Sequence, residues 1–151
     1  NVGAKQYDRV SKGAKQGTLI AMGTSGFITL LILIFGRHLM GVFTKTQALV
    51  SLSMLLMQIL AVGYIAMAVT QSLSGVMRGA GDTVTPMWIS IISTIIIRVP
   101  LAYGLAYLTR SPQYPGGRQE VVYISLLCSW VLGAIITGLC YRKGKWKQKA
   151  I

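Results

Sequence analysis

Carboxylates are almost missing from this sequence. Asp8, Asp82 and Glu120 are the only three acidic residues, and no two of them stand as a pair for general acid–base work. Histidine is limited to His38, and cysteine to Cys128 and Cys140. There is no CxxC and no histidine cluster, so no metal site is expected. On one helix the two thiols would lie about 18 Å apart, too far for a disulfide. Phosphate loops fail as well. Gly36 and Gly41 have the right separation, but Val42 stands where such a loop needs lysine. Gly79-Ala-Gly-Asp82 is not GxGxxG. With no Ser/His/Asp set either, the chain is not expected to be an enzyme. No signal peptide is expected either: a basic segment precedes the first apolar run, but that run is too long and has no small-residue cleavage site.

Charge is missing from long stretches, and this absence is the most informative. Hydrophobic residues make up 53% of the chain and charged residues 12%, far from the balance of a water-soluble domain. Apart from Arg98, every charge lies outside four runs: 17–36, 48–69, 86–108 and 121–141. At about 1.5 Å per residue, each run crosses a hydrocarbon layer of roughly 30 Å as a helix. The predicted fold class is therefore an all-α polytopic membrane protein with four transmembrane helices. Residues 1–16 form a basic lead-in suited to a helix lying at the headgroups, and residues 142–151 a basic tail. The sequence does not begin with Met, so we expect a longer parent polypeptide.

The excess of 15 basic residues over three acidic ones fits orientation better than nucleic-acid binding. Lys5, Arg9, Lys12, Lys15, Arg78, Arg142, Lys143, Lys145, Lys147 and Lys149 fall on one side of the four runs. Arg37, Lys45, Arg110 and Arg118 fall on the other. The positive-inside rule then places both termini and the 71–86 connection in the cytoplasm of a multi-pass protein of the cell membrane. The tail should hold to anionic lipid, with Trp146 as an interfacial anchor.

Residues 71–86 organise the chain. Gly75, Gly79 and Gly81 loosen and close one helix, because glycine is the usual residue just past a helix end. Thr85 suits an N-cap and Pro86 a first helical position, where its missing N–H is no loss. Arg78 and Asp82 are expected to keep this connection in water.

Each run carries its own candidates. In run one, Gly17, Gly23, Ser25 and Gly26 suit close approach by another helix. His38 reads as an interfacial loop residue. Run two is uncharged, and Met57, Tyr64 and Gln71 recur every seven residues near one stripe, with Met67 close by. Thioethers, an aromatic face and a neutral acceptor suit a cavity for apolar cations; ordinary packing with a glutamine hydrogen bond across helices is the plainer account of the stripe. In run three, Arg98 lies well inside the bilayer, at a cost of about 2.5–3.5 kcal/mol before snorkelling. Pro100 removes the hydrogen bond to the Ile96 carbonyl and favours a kink. A charge beside a kink suits a water-accessible or bundle-facing site, or a guanidinium paired to a carbonyl or to a missing helix. No carboxylate lies in any of the four runs.

These residues carry a resemblance. Gly75-Val-Met-Arg-Gly-Ala-Gly-Asp-Thr-Val-Thr-Pro86, followed by Ile97-Arg-Val-Pro-Leu-Ala-Tyr103, resembles the signature of the multidrug and toxic compound extrusion (MATE) family. Asn1-Val-Gly-Ala-Lys5, with Arg9 and Ala14, is similar to the basic loop that enters the family's ninth helix, and Phe43-Thr44 and the Trp-containing basic ending also fit. The resemblance implies helices nine to twelve of a twelve-helix, two-lobe fold. It further implies a secondary-active antiporter that exports cationic or amphipathic drugs in exchange for Na⁺ or H⁺ by alternating access. Its partners would then be membrane lipid, the missing N-terminal part of the same protein and a small cationic substrate. No other cofactor is implied, and the coupling-ion site would lie outside these 151 residues. The departure is in run two, where some members carry a coupling carboxylate and this chain has Gln58 and Gln71. A flippase of related fold for a lipid-linked substrate and a free-standing four-helix scaffold are the alternative readings.

Overall fold

The structure, a computed structural model, describes residues 1–148, and these are almost entirely helical, with no strand among them. Helix α1 spans Tyr7–Phe43, α2 Gln47–Gly79, α3 Val84–Ile91, α4 Arg98–Leu108 and α5 Glu120–Lys143. A π-helical segment, Ile92–Ile97, joins α3 to α4 into one span, and a 3-10 turn, Lys145–Gln148, follows α5. Four helical spans are therefore long and apolar enough to cross a membrane, each holding an 18-residue window with mean hydropathy between 1.8 and 2.2. No more than 28% of any such window is buried inside the chain. Leu19, Phe27, Ile34, Ile96 and Leu139 all point outward. In water that surface would be prohibitive, whereas in lipid it costs nothing.

The helices outrun the apolar runs. α1 has 37 residues and α2 has 33, so α1 is about 55 Å long, more than the bilayer with its headgroups. The basic lead-in is accordingly not a separate surface helix; from Tyr7 onward it forms the first turns of α1, where Asp8 complements the helix dipole. Helix hydrogen bonding does not stop where hydropathy does, so charged turns continue the helix into the headgroups. Of the basic tail, Arg142 and Lys143 belong to α5, and Lys149 lies outside the described residues.

Spatial order differs from chain order. α1 packs on α2, α2 on α5, and α5 on the α3–α4 span, so the last helix lies between the second and third spans. What lets α5 in is a row of small residues. Its buried positions are Val121, Ser125, Ser129, Gly133 and Thr137, one per four residues. Each hydroxyl in the row is satisfied within α5: Ser125 donates to the Val122 carbonyl at 2.7 Å and Thr137 to that of Gly133 at 2.7 Å. Small residues at this spacing let helix backbones approach closely. Of the small residues predicted to do this in α1, Ser25 does reach α2, through a hydrogen bond to the Tyr64 carbonyl, but the three glycines meet no neighbour among the described residues. A Cβ at Gly17, Gly23 or Gly26 would meet nothing within 4 Å.

The α2–α5 contact turns on Gly63. A Cβ there would sit 2.7 Å from Cε3 of Trp130 and 3.2 Å from Cδ1 of Leu127. Gly63→Ala is therefore expected to destabilise the bundle by about 1–3 kcal/mol through overpacking. Gly75→Ala, with nothing within 4 Å of its Cβ, should be neutral or slightly stabilising through helix propensity. Thermal unfolding of both variants in detergent checks this, and equal midpoints would contradict the packing argument.

Candidate functional site

The predicted stripe on α2 is divided by the fold. Tyr64, Met67 and Gln71 line an open groove of about 670 Å³ between α1 and α2. Its opposite wall is Thr24, Ser25, Ile28 and Thr29 of α1, which sequence reasoning did not assign to a cavity. The seven-residue recurrence identified one wall; only the crossing of α1 identifies the other. Ser25 Oγ donates to the Tyr64 carbonyl at 3.1 Å and clips the two helices together at the groove. Behind it, the Tyr64 ring packs on Trp130 of α5 with centroids 5.7 Å apart. Met57 lies elsewhere, its sulfur 3.5 Å from where a Cβ on Gly36 would be, so it fills the α1–α2 contact. Groove and wall together offer hydroxyls, one amide, one thioether and one aromatic ring, and no charge.

Arg98 sits half-buried at the start of α4, and its Nε donates to Ser129 Oγ at 3.1 Å. Ser129 is fully buried and its own hydroxyl donates to the Leu126 carbonyl at 2.8 Å. The guanidinium thus has a neutral hydroxyl as its partner on α5. Near it the helix widens into π geometry, with the Arg98 N–H bonded to the Ser93 carbonyl five residues back. Pro100, which cannot donate to the Ile96 carbonyl, stands just beyond the distortion.

The 71–86 connection sits at the end of the bundle that carries both described chain ends, and it buries Ser74, Met77, Ala80, Asp82 and Pro86. α2 closes as a Schellman motif: the Gly81 N–H bonds the Arg78 carbonyl at 2.9 Å and the Asp82 N–H that of Met77 at 2.9 Å. Gly81 takes φ +87°, the left-handed region that favours glycine. Gly75 and Gly79 are ordinary helical positions of α2, and Arg78 is exposed in its last turn.

Asp82, expected in water, is 1% exposed. Its Oδ2 accepts from Thr85 Oγ1 at 2.6 Å, and its Oδ1 from the Thr85 N–H at 3.2 Å. The carboxylate, not Thr85, therefore caps α3, which begins at Val84. Pro86 is buried at the third helical position, where an N–H would still lack a partner within the helix.

Trp146 also corrects expectation. It is 1% exposed and packs with Met77, Ala80 and Ile89 rather than facing lipid. Its indole stacks on Tyr141 at 5.3 Å, meets Tyr7 edge-on at 6.3 Å, and donates from Nε1 to the Tyr141 carbonyl at 3.0 Å. Tyr7 Oη donates to the Lys147 carbonyl at 3.1 Å. Tyr7 of α1, the α2–α3 connection and the segment after α5 are thereby tied in one cluster. Cys140 lies beside it with Asp82, Thr85 and Trp146 around a cavity of about 230 Å³. Both cysteines are half-buried and free. Among the described residues no group of His, Cys, Asp or Glu could hold a metal ion.

Four apolar spans, an intramembrane arginine and an uncharged groove between two helices define a segment of a polytopic helical membrane protein. The MatE family profile matches residues 1–104, so the chain belongs to that family, the one its connection motif resembles. Similar proteins include a probable multidrug resistance protein NorM of Thermotoga maritima, 23% identical over 91% of this chain and 28% of its own length. The probable multidrug resistance protein YoeA of Bacillus subtilis is 26% identical over 73% of this chain and 24% of its own. An uncharacterized transporter of that species, YisQ, is 26% identical over 99% of this chain and 32% of its own. The chain therefore spans about a quarter to a third of the length of these relatives. No solved structure matches it.

Proposed function

We propose that this chain forms part of a secondary-active antiporter that exports cationic or amphipathic drugs, with α1–α5 supplying helices nine to twelve. The observation that carries the reading is the α1–α2 groove in a member of the MatE family, with Tyr64, Met67 and Gln71 on one wall. An uncharged, mostly apolar wall with one ring suits greasy cations by dispersion and cation–π attraction. Such a wall binds them without the deep electrostatic trap that would hinder release. The coupling ion, Na⁺ or H⁺, acts at a carboxylate elsewhere in the parent polypeptide, because the four apolar runs contain no Asp or Glu. Arg98 and the π segment provide the irregular helix at which one span bends as the lobes rock.

The test is dye efflux by the whole protein in proteoliposomes under an imposed Na⁺ or H⁺ gradient. Tyr64→Ala is expected to weaken apparent affinity for a cationic dye about tenfold, and for a neutral dye of the same size much less. Equal losses for both dyes would reduce Tyr64 to packing against Trp130. Full transport after neutralising each acid of the remaining helices in turn would reject a coupling site outside this chain.

A further inference from the structure

A second groove, of about 770 Å³, opens between the N-terminal part of α1 and the C-terminal end of α5. Its upper rim carries Ser11, Lys15 and Arg142, with Thr18 between the charged and apolar levels. Its floor is apolar, with Leu19, Met22 and Leu73. No carboxylate is among its lining residues. The two cations lie at matching depth, Lys15 two residues before the uncharged run 17–36 and Arg142 one residue after the run 121–141. Both side chains are exposed, and so are Leu19 and Met22 below them. α1 packs on α2 and not substantially on α5 at this end, which leaves the gap unfilled by the described residues.

From this vertical order, cations and hydroxyls above and apolar side chains below, we infer that the groove is a binding site for one anionic phospholipid. The headgroup phosphate sits between Lys15 and Arg142 and accepts from Thr18 or Ser11. One acyl chain runs down past Leu19, Met22 and Leu73. Basic pockets between membrane helices at the headgroup level recognise anionic lipids in this way, at about 1 kcal/mol per cation. A free phosphate would use only the upper half of the groove and leave the apolar floor without an occupant. The volume falls within the range of small-molecule sites. The inference requires that the groove open at a membrane boundary and stay open in the whole polypeptide, and it is independent of which substrate the protein exports.

The experiment purifies the full-length protein from vesicles of phosphatidylcholine with and without phosphatidylglycerol and quantifies co-purified lipid by mass spectrometry. Wild type should retain phosphatidylglycerol selectively. Lys15→Gln and Arg142→Gln should each weaken retention about fivefold, and the pair roughly 25-fold. Met22→Trp, which fills the floor and leaves both charges, should also reduce retention. Lys15→Arg and the opposite-side control Lys45→Gln should retain the lipid, and all variants should match wild type in thermal midpoint. Three outcomes would overturn the inference: equal retention of zwitterionic lipid, unchanged retention in the double variant, or full displacement of the lipid by inorganic phosphate. Loss with Met22→Trp separates a lipid site from a bare anion site, which that substitution would leave intact.

Discussion

Trp146→Ala is expected to lower stability by about 3–5 kcal/mol, as large-to-small substitutions of buried tryptophan do. The indole is almost fully enclosed, stacked on Tyr141, edge-on to Tyr7 and packed on Met77, Ala80 and Ile89. Removing it empties the centre of the cluster and leaves the Tyr141 carbonyl without the Nε1 donor. The cluster lies at the ends of the apolar runs and just beyond them, so the gap would open toward water and headgroups, where the hydrophobic effect applies. The Lys147 ammonium also loses one of its two rings, standing 5.6 Å from the indole centroid and 5.9 Å from that of Tyr7. Thermal unfolding in detergent gives the size of the effect, and proteolysis of the first few residues reports whether they are released. Trp146→Phe should recover most of the loss, since it keeps a stacked ring and sacrifices only the indole hydrogen bond. A midpoint within error of wild type for Trp146→Ala would mean that the tail does not dock as described.

Asp82→Ala is expected to cost about 2–4 kcal/mol, concentrated at the α2–α3 connection. The substitution takes away both acceptors that hold Thr85, one bonded to its hydroxyl and one to its backbone N–H. Losing a buried charge also removes its desolvation penalty, so the net effect is smaller than the sum of its hydrogen bonds. Asp82→Asn keeps one oxygen acceptor in the same place and should show about half the loss. The direct readout is Cys140, which shares a small cavity with Asp82, Thr85, Lys143 and Trp146. Maleimide labelling of Cys140 should accelerate in Asp82→Ala, while Cys128, three turns earlier on α5, keeps its wild-type rate. If both thiols accelerate together, the variant has unfolded globally and the carboxylate has no local role at the connection. Because Asp82 and Trp146 border the same cavity, their effects should be less than additive, and the double variant measures that coupling.

The membrane class and the helix count were legible because hydropathy acts residue by residue. Four apolar runs of sufficient length, with Arg98 the one charge in them, require four helices in lipid, whatever packs on them. The turn at Gly81 was equally legible, since closing α2 by a Schellman motif needs a left-handed residue. The capping of α3 was misread for a local reason. Thr85 and Asp82 are both good caps, and the chain uses the carboxylate because it lies before the first turn and its oxygens reach forward to Thr85. The four-residue row on α5 was open to view in Ser125, Ser129, Gly133 and Thr137, but was not singled out among the many small residues of the spans.

The amino-acid order by itself determined the spans, their ends to within a few turns, and the family to which the motif points, because each depends on local hydropathy, backbone freedom or residue pattern. Which sides of those helices meet was decided only by tertiary structure. The insertion of α5 between α2 and the third span brings Ser129 to Arg98 and Trp130 to Tyr64. The folding back of the segment after α5 buries Trp146, and the connection buries Asp82. In lipid a helix that is apolar all round carries no hydropathy signal for which face is inside. That choice passes to steric fit between small residues and rings, which is a property of pairs of helices and cannot be read from either one alone.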